Sequence, residues 1–430
     1  MIPPSMDLEF LYSLKREGVK LDLDIMREFA PRLGNPQNKF RSFHIAGTNA
    51  KGSVSSFIYN VLRQRYSTGL YTSPHLVKFN ERIVVDKDFI SNEYMESFMT
   101  KYLPVIVDLM KTKRNPTFFE TTTLMAFDYF STRKVDFGSI EVGLGGRLDS
   151  TNIIDPEVSV ICNIGYDHFD RLGCTLDSIA YEKGGIIKKG RPVVLADQKE
   201  EVVRTIRRIS DLKSSRLFEV SKNSIAENVK QGIDGISFEL KGMNDSYYIE
   251  SRMLGLHQVK NIQTAVLAAE VSGVDRIGRE EIEKGIREAL WPARMEIVSR
   301  EPFVLIDCAH NPPAARALVT SYQKIFKEKT AVLLGMLNDK DWYTFAHTIS
   351  EIADEVVFTR PDEPERSLEP QEFSKYCGSF FKKSRIIADI GEAYEYMIQH
   401  YDRILVTGSI YLVGKIKEIT GSSLYPYILQ

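Results

Sequence analysis

From about residue 40 the chain alternates short β-branched runs with stretches whose apolar residues recur at helical spacing. Strands are predicted over Phe40–Ala46, Val135–Val142, Val158–Ile164 and Pro192–Ala196, the pattern of helices packed on a mostly parallel sheet. The clearest helix follows Ser53, where Val54, Phe57, Ile58, Val61 and Leu62 fall at i, i+3, i+4, i+7 and i+8 and make one buried stripe. Residues 215–250 differ: RLFEV, ISFEL and SYYIE alternate between polar turns, which predicts a small antiparallel patch at the edge of the first domain. Helical stretches at His257–Val271 and Arg279–Leu290 lead to Trp291-Pro292-Ala293-Arg294, where Pro292 disfavours further helix.

A domain boundary is therefore placed near residue 296. After it the alternation restarts with strand Phe303–Asp307, a helix from Pro312, strand Ala331–Gly335, helix 341–352, strand Glu355–Thr359, helices 371–379 and 391–400, and strand Arg403–Thr407. The expected fold is α/β. Residues 1–295 form a larger domain with a mostly parallel sheet and the antiparallel patch, and 296–430 a smaller Rossmann-like α/β domain.

Composition narrows the function classes. Fifty-six Lys plus Arg against 58 Asp plus Glu leave a net charge of −2, which argues against holding nucleic acid or an anionic membrane by bulk charge. With 43% hydrophobic and 27% charged residues the chain is an ordinary globular one. Cys162, Cys174, Cys308 and Cys377 are scattered without CxxC or zinc spacing, as expected of reduced thiols. The N-terminal segment interrupts its apolar residues with Asp7, Glu9 and Lys15, unlike a signal peptide. Apolar stretches such as Ala331–Leu337 fall far short of the roughly 20 residues of a membrane helix. A cytoplasmic monomer without nucleic-acid or membrane partners is expected.

The strongest local feature is FHIAGTNAKGSVSSFIYNVL, a strand ending at Ala46, a loop with Gly47, Lys51, Gly52 and Ser53, and then the amphipathic helix. Backbone N–H groups at a helix start, beside a lysine and a hydroxyl, suit nucleotide phosphates. The general GxxxxGK[ST] template is not met, because Ala50 precedes Lys51 and a glycine separates Lys51 from Ser53. An ordinary strand-to-helix turn with a solvated lysine is the plainer alternative.

Other polar groups also fall at strand ends. Glu141 leaves a predicted buried strand into Gly143, Gly145 and Gly146, facing the crevice where α/β proteins bind ligands. A carboxylate there needs a cation, either Mg²⁺ on phosphates or Arg147. Asn163 to His168 ends another strand on the same edge, and Tyr71-Thr72-Ser73-Pro74-His75-Leu76 follows a further short strand. Gly184 and Gly185, after Glu182-Lys183 in a predicted helix, cost roughly 1 kcal/mol each against alanine, so either the helix ends there or something approaches its backbone. In the second domain Asp307, His310 and Asn311 stand before a proline-started helix, and Val406-Thr407-Gly408-Ser409 closes the last strand. Asp307 is equally suited to capping a turn.

Together, GTNAKGS, YTSPHL, FFETTT, EVGLGGRLDSTN, YDH, EKGGIIK, HQVKNIQTA, WPARME, DCAHNP and VTGSIYLVG, in this order from about residue 43 to 414, resemble the folylpolyglutamate synthase and dihydrofolate synthase family of the Mur ligase superfamily. The resemblance implies a P-loop-type ATPase domain followed by a glutamate-ligase domain. It implies an ATP-dependent enzyme that adds L-glutamate by γ-linkage to a tetrahydrofolate, through an acyl phosphate that the incoming amine attacks. Its small-molecule partners would be ATP, a reduced folate and L-glutamate. Dihydrofolate synthesis from dihydropteroate, alone or alongside, is the alternative within the family.

Carried over residue by residue, the phosphate loop falls on Gly47, Thr48, Asn49, Ala50, Lys51, Gly52 and Ser53. Mg²⁺, expected at two sites, falls to Ser73, Glu141 and His168, with Lys183 as a further ligand if it carries CO₂ as a carbamate. Asn261, Arg294 and Asp307 match ATP-contacting positions. Catalysis is assigned to Lys51, Lys183, Arg294 and His310, and Thr72, Thr117, Asp149, His310 and Ser409 to the folate and glutamate side. Closure of the two domains would keep water from the acyl phosphate.

The family has glycine where Ala50 stands and EKAG where Glu182-Lys183-Gly184-Gly185 stands. Should position 50 need positive φ, alanine is strained by roughly 1 kcal/mol. A nucleotide-driven switch is a more distant alternative, without an NKxD motif to support it, and no GxGxxG follows a predicted strand to favour a dinucleotide-binding module.

Overall fold

The structure, a computed structural model, describes residues 8–14, 22–111, 115–166, 172–363 and 365–421. By its contacts the chain divides into two units. One comprises 1–225, 240–247 and 261–286, and the other 226–239, 248–260 and 287–430.

In the first unit the strands are β1 (Arg41–Ala46), β2 (Thr68–Tyr71), β3 (Ile83–Val85), β4 (Asp88–Phe89), β5 (Phe137–Glu141), β6 (Val158–Ile161), β7 (Val193–Leu195) and β8 (Leu217–Glu219). They make one sheet in the order β4-β3-β2-β5-β1-β6-β7-β8. The pairings from β2 to β8 are parallel, and β3 and β4 add antiparallel edges. RLFEV thus does not belong to the antiparallel patch: β8 pairs in parallel with β7, Val194 opposite Phe218. The amphipathic helix Glu200–Leu212 between them supplies the crossover that a parallel pair requires.

Two separate apolar clusters pack against this sheet. Phe29, Met95, Phe98, Phe127 and Phe130 belong to one cluster, and Ile161, Leu176, Ile179, Val193 and Ile206 to another. Helix Lys51–Leu62 is buried almost throughout. Helix Arg279–Glu288 reaches it because Gly285 has no side chain, since a Cβ there would meet Val61 Cα at 2.5 Å.

Strands β9 (Ile225–Gly232), β10 (Gly235–Lys241) and β11 (Ser246–Ser251) form a separate sheet in the order β11-β10-β9. Along β11 buried and exposed residues alternate, the period of a half-buried strand.

In the second unit β12 (Glu296–Arg300), β13 (Phe303–Ile306), β14 (Thr330–Leu334), β15 (Ala353–Phe358), β16 (Lys383–Ile386) and β17 (Arg403–Thr407) build a sheet in the order β12-β13-β17-β14-β15-β16. All its pairings are parallel except that of β12 with β13. The polar edge strand β16, exposed along its length, offered no apolar run to read. The core includes Leu305, Leu318, Tyr322, Phe345, Phe358 and Phe373.

Candidate active site

Parallel pairing decides which strand ends meet. Ile45 lies opposite Glu141 and Ala46 opposite Ile161, while Tyr71 lies opposite Ile140. The carboxyl ends of β1, β2, β5 and β6 therefore open on one edge of the sheet, where α/β proteins take ligands.

The loop after β1 is clamped to the end of β6. The N–H groups of Thr48 and Asn49 donate to Asn163 O at 2.8 and 3.4 Å. The Thr48 hydroxyl donates to Gly165 O at 3.0 Å and lies 3.1 Å from the Gly165 N–H. A Cβ on Gly47 would meet Cys162 Cβ at 2.7 Å, so only glycine fits there. Ala50 stands at φ 71°, ψ −8° as the residue before helix Lys51–Leu62. The positive φ considered for this position is real, and the methyl group bears its cost of roughly 1 kcal/mol. Lys51 Nζ donates to Thr48 O at 3.3 Å, and Gly52 and Ser53 are buried in the first turn.

Glu141 is 5% exposed, and its Oε2 accepts the Ser73 N–H at 3.1 Å. Arg147, the alternative cation for this carboxylate, pairs instead with Glu182, its Nη2 2.9 Å from Oε1. The Arg147 backbone also explains Gly185, where a Cβ would fall 2.5 Å from Arg147 Cα as the helix Leu176–Gly184 ends, whereas a Cβ on Gly184 would meet Ile209 Cδ1 at 2.6 Å. Lys183, 4% exposed, donates from Nζ to Gly47 O at 2.9 Å. Burial pushes the Cys162 thiol up to about 12, with Lys51, Glu141 and Lys183 all acting on it electrostatically, so these charges share one locality.

His168 lies outside the described residues. Among the described residues no three His, Cys, Asp or Glu side chains form a metal-holding group. The Ser73 backbone lies on the buried Glu141 carboxylate, so a hydroxyl-bearing residue and a carboxylate adjoin, and both carry hard oxygens of the kind Mg²⁺ takes alongside substrate phosphates.

The loop after Ser73 is held by Glu81, which no sequence motif singled out. Its buried carboxylate accepts the N–H groups of Leu76, Val77 and Lys78 at 2.7, 2.9 and 2.5 Å. Thr72 N–H donates to Arg82 O at 3.0 Å, and Arg82 Nε to His75 Nδ1 at 2.8 Å. Thr117 caps helix Phe118–Thr132 reciprocally with Glu120. Buried Asp149 accepts from Leu144 N–H and from the N–H and hydroxyl of Thr151. Both thus engage polar atoms in local structure. Asn261 lies on helix His257–Val271.

Gln198 was also missed. Its Nε2 donates to Cys162 O at 2.8 Å and its Oε1 accepts Ile164 N–H at 3.0 Å. One amide thus brackets Asn163, the residue that clamps the Gly47–Ser53 loop.

The second unit gathers Arg294, Asp307, His310 and Ser409 around the ends of β13 and β17. Ala293 and Met295, flanking Arg294, both have positive φ, 56° and 48°. Asp307 holds this turn, Oδ2 accepting Met295 N–H at 2.9 Å and Oδ1 accepting Ala309 N–H at 2.7 Å. Burial raises the Asp307 carboxyl above the usual range, opposed by the Arg294 guanidinium. His310 Nδ1 lies 2.9 Å from Cys308 O. Ser409 caps helix Ile410–Thr420.

Residues 45–269 match the Mur ligase middle domain, and 293–410 the Mur ligase, glutamate ligase domain. The dihydrofolate synthase/folylpolyglutamate synthase of Bacillus subtilis (strain 168) is 34% identical over 409 residues, covering 93% of this chain and 95% of that protein. A Mycobacterium tuberculosis folylpolyglutamate synthase structure complexed with ADP and AMPPCP superposes with TM-score 0.91 at 27% identity, covering 97% of this chain and 98% of that one. E. coli FolC in complex with DHPP and ADP matches with TM-score 0.86 at 26% identity, over 96% of this chain and 97% of that one. Motifs, fold and these matches agree: the chain belongs to the folylpolyglutamate synthase/dihydrofolate synthase family of Mur ligases.

Proposed function

We propose that this protein is an ATP-dependent ligase that adds L-glutamate by γ-linkage to a reduced folate. The observation that carries this is the convergence of the Gly47–Ser53 loop, Lys51, Lys183 and the Ser73–Glu141 pair on one sheet edge. A carboxylate resists attack by an amine until one oxygen becomes a leaving group. Phosphorylation by ATP supplies that group, and the glutamate amine then attacks the acyl phosphate through a tetrahedral intermediate, releasing phosphate. The chain's task is alignment and charge neutralisation.

In this reading the N–H groups of the phosphate loop and the Lys51 ammonium hold the terminal phosphates, with Asn261, Arg294 and Asp307 completing the ATP contacts. Arg294 gains most when charge spreads over the transferring phosphoryl group. Ser73, Glu141 and His168 would hold Mg²⁺, at two sites with Lys183 as its carbamate, and the ion supplies neutralisation of phosphate charge. A carbamate nitrogen keeps an N–H, so the bond to Gly47 O is compatible with either form of Lys183. Thr72, Thr117 and Asp149 would line the folate side, and His310 and Ser409 the glutamate side. Among the described residues no helix is long and apolar enough to cross a membrane. A cytoplasmic monomer that needs only these small molecules completes the proposal.

The second reading, dihydrofolate synthesis from dihydropteroate, is favoured by the double name of the Bacillus subtilis relative. Purified protein with ATP, Mg²⁺ and labelled glutamate, offered tetrahydrofolate and dihydropteroate separately, tests both. ADP release that requires both glutamate and tetrahydrofolate is expected. Release indifferent to both pterin substrates and to glutamate would refute ligase activity.

A further inference from the structure

We propose that Lys417, on helix Ile410–Thr420, is a positioning residue for Arg294 and acts through Glu296. The inference rests on the role proposed for Arg294 above. The backbone on both sides of Arg294 is in the left-handed region, Ala293 at φ 56° and Met295 at φ 48°. Neither is glycine, so the turn persists only if its surroundings impose it. Glu296 does so on one side, its Oε2 accepting the Ala293 N–H at 2.7 Å. The other oxygen of the same carboxylate, Oε1, takes Lys417 Nζ at 2.6 Å. Ala293 O in turn accepts Cys308 N–H at 3.0 Å and Arg294 Nη1 at 3.1 Å.

The Lys417 side chain is 0% exposed and that of Glu296 21%. An ion pair so placed gives up hydration that apolar residues of similar size would not need, so it stabilises little by itself and instead fixes one arrangement. Here the arrangement is the direction of the Glu296 carboxylate, and through Ala293 the path of the turn that carries the guanidinium. Without Lys417 the carboxylate is free to turn toward water, the Ala293 N–H loses its acceptor, and the strained turn relaxes. The catalytic arginine then moves although every residue that would touch ATP is intact.

The test compares Arg294→Ala, the neutral pair Glu296→Ala/Lys417→Met, and the triple variant, each followed by kcat, KM for ATP and thermal unfolding. The pair variant is expected to lose about 100-fold in kcat, the scale of a displacement of about 1 Å at a reacting centre, with a far smaller change in KM. The triple variant should be no slower than Arg294→Ala, because the pair acts only through that arginine. Losses that multiply in the triple variant, or a pair variant that keeps its kcat while Arg294→Ala fails, overturn the positioning role. A fully active Arg294→Ala overturns the role of the arginine itself. If the pair variant does not fold, Glu296→Gln serves: one of the two carboxylate oxygens becomes an NH₂, so Ala293 N–H or Lys417 Nζ faces a donor instead of its acceptor, and unchanged kcat in that variant overturns the proposal too.

Discussion

Lys183 Nζ lies 2.9 Å from the carbonyl oxygen of Gly47, joining the end of one helix to the first residue of a loop 136 positions earlier. A buried lysine placed there holds the loop as an amine and, in the reading proposed above, would serve a metal ion as a carbamate. The two roles separate experimentally. Lys183→Ala should lower kcat by about 10–100-fold or more, the usual cost of disturbing a metal's supporting ligands. If the carbamate acts, short carboxylic acids restore part of the activity, and bicarbonate raises the rate of protein prepared free of CO₂. Steady-state ADP release with and without these additions reads the outcome, and no response to either removes the carbamate.

Ala50 occupies the left-handed region at φ 71°. Ala50→Gly should raise stability at this position by about 1 kcal/mol, less the entropy that glycine adds to the unfolded chain. Nucleotide affinity should stay unchanged. Ala50→Val, branched at Cβ, should destabilise and weaken nucleotide binding. Thermal unfolding and isothermal titration with ATP check both.

Gln198 brackets Asn163 through two hydrogen bonds without touching the loop it supports. Removing one such pair is worth about 1.4 kcal/mol, so Gln198→Ala should raise KM for ATP about tenfold with kcat little changed. Gln198→Glu keeps the acceptor for Ile164 N–H but, ionised, loses the donor to Cys162 O, and should fall between. Equal KM values in all three proteins would show that β6 holds Asn163 without this amide.

His257 is buried, and burial first, then the Arg294 charge, push its imidazole from 6.5 down to about 4. His44, fully buried on β1, is shifted in the same direction by burial and by Lys188. Both rings fold neutral, so protonation favours the unfolded chain. The contribution of His257 is complete above about pH 6.5 and is lost as pH falls from there toward 4, at up to about 1.4 kcal/mol per pH unit, and His44 acts in the same direction. Thermal midpoints across that range should fall less steeply for His257→Gln than for the parent protein. Parallel curves would mean that the imidazole protonates in the folded state.

Much of this was legible because it is local. The helix from Lys51 and the strands β1, β5 and β13 follow from the spacing of their own apolar residues, and a polar residue just past such a strand must emerge at the sheet edge. That reasoning placed Glu141, Ser73 and Asp307 at strand ends from the order of residue types alone, and family motifs supplied their expected roles. What tertiary structure decided is who meets whom. Sheet order brings Ser73 to Glu141 across 68 residues, sends Arg147 to Glu182 instead, and moves the RLFEV strand from an antiparallel patch to the edge of the parallel sheet. Glu81, Gln198 and Lys417 carry no spacing signal, because each acts on backbone or charge that only folding brings near. Periodicity is written within one element, whereas register, crossover and the satisfaction of buried polar groups are properties of elements distant in the chain.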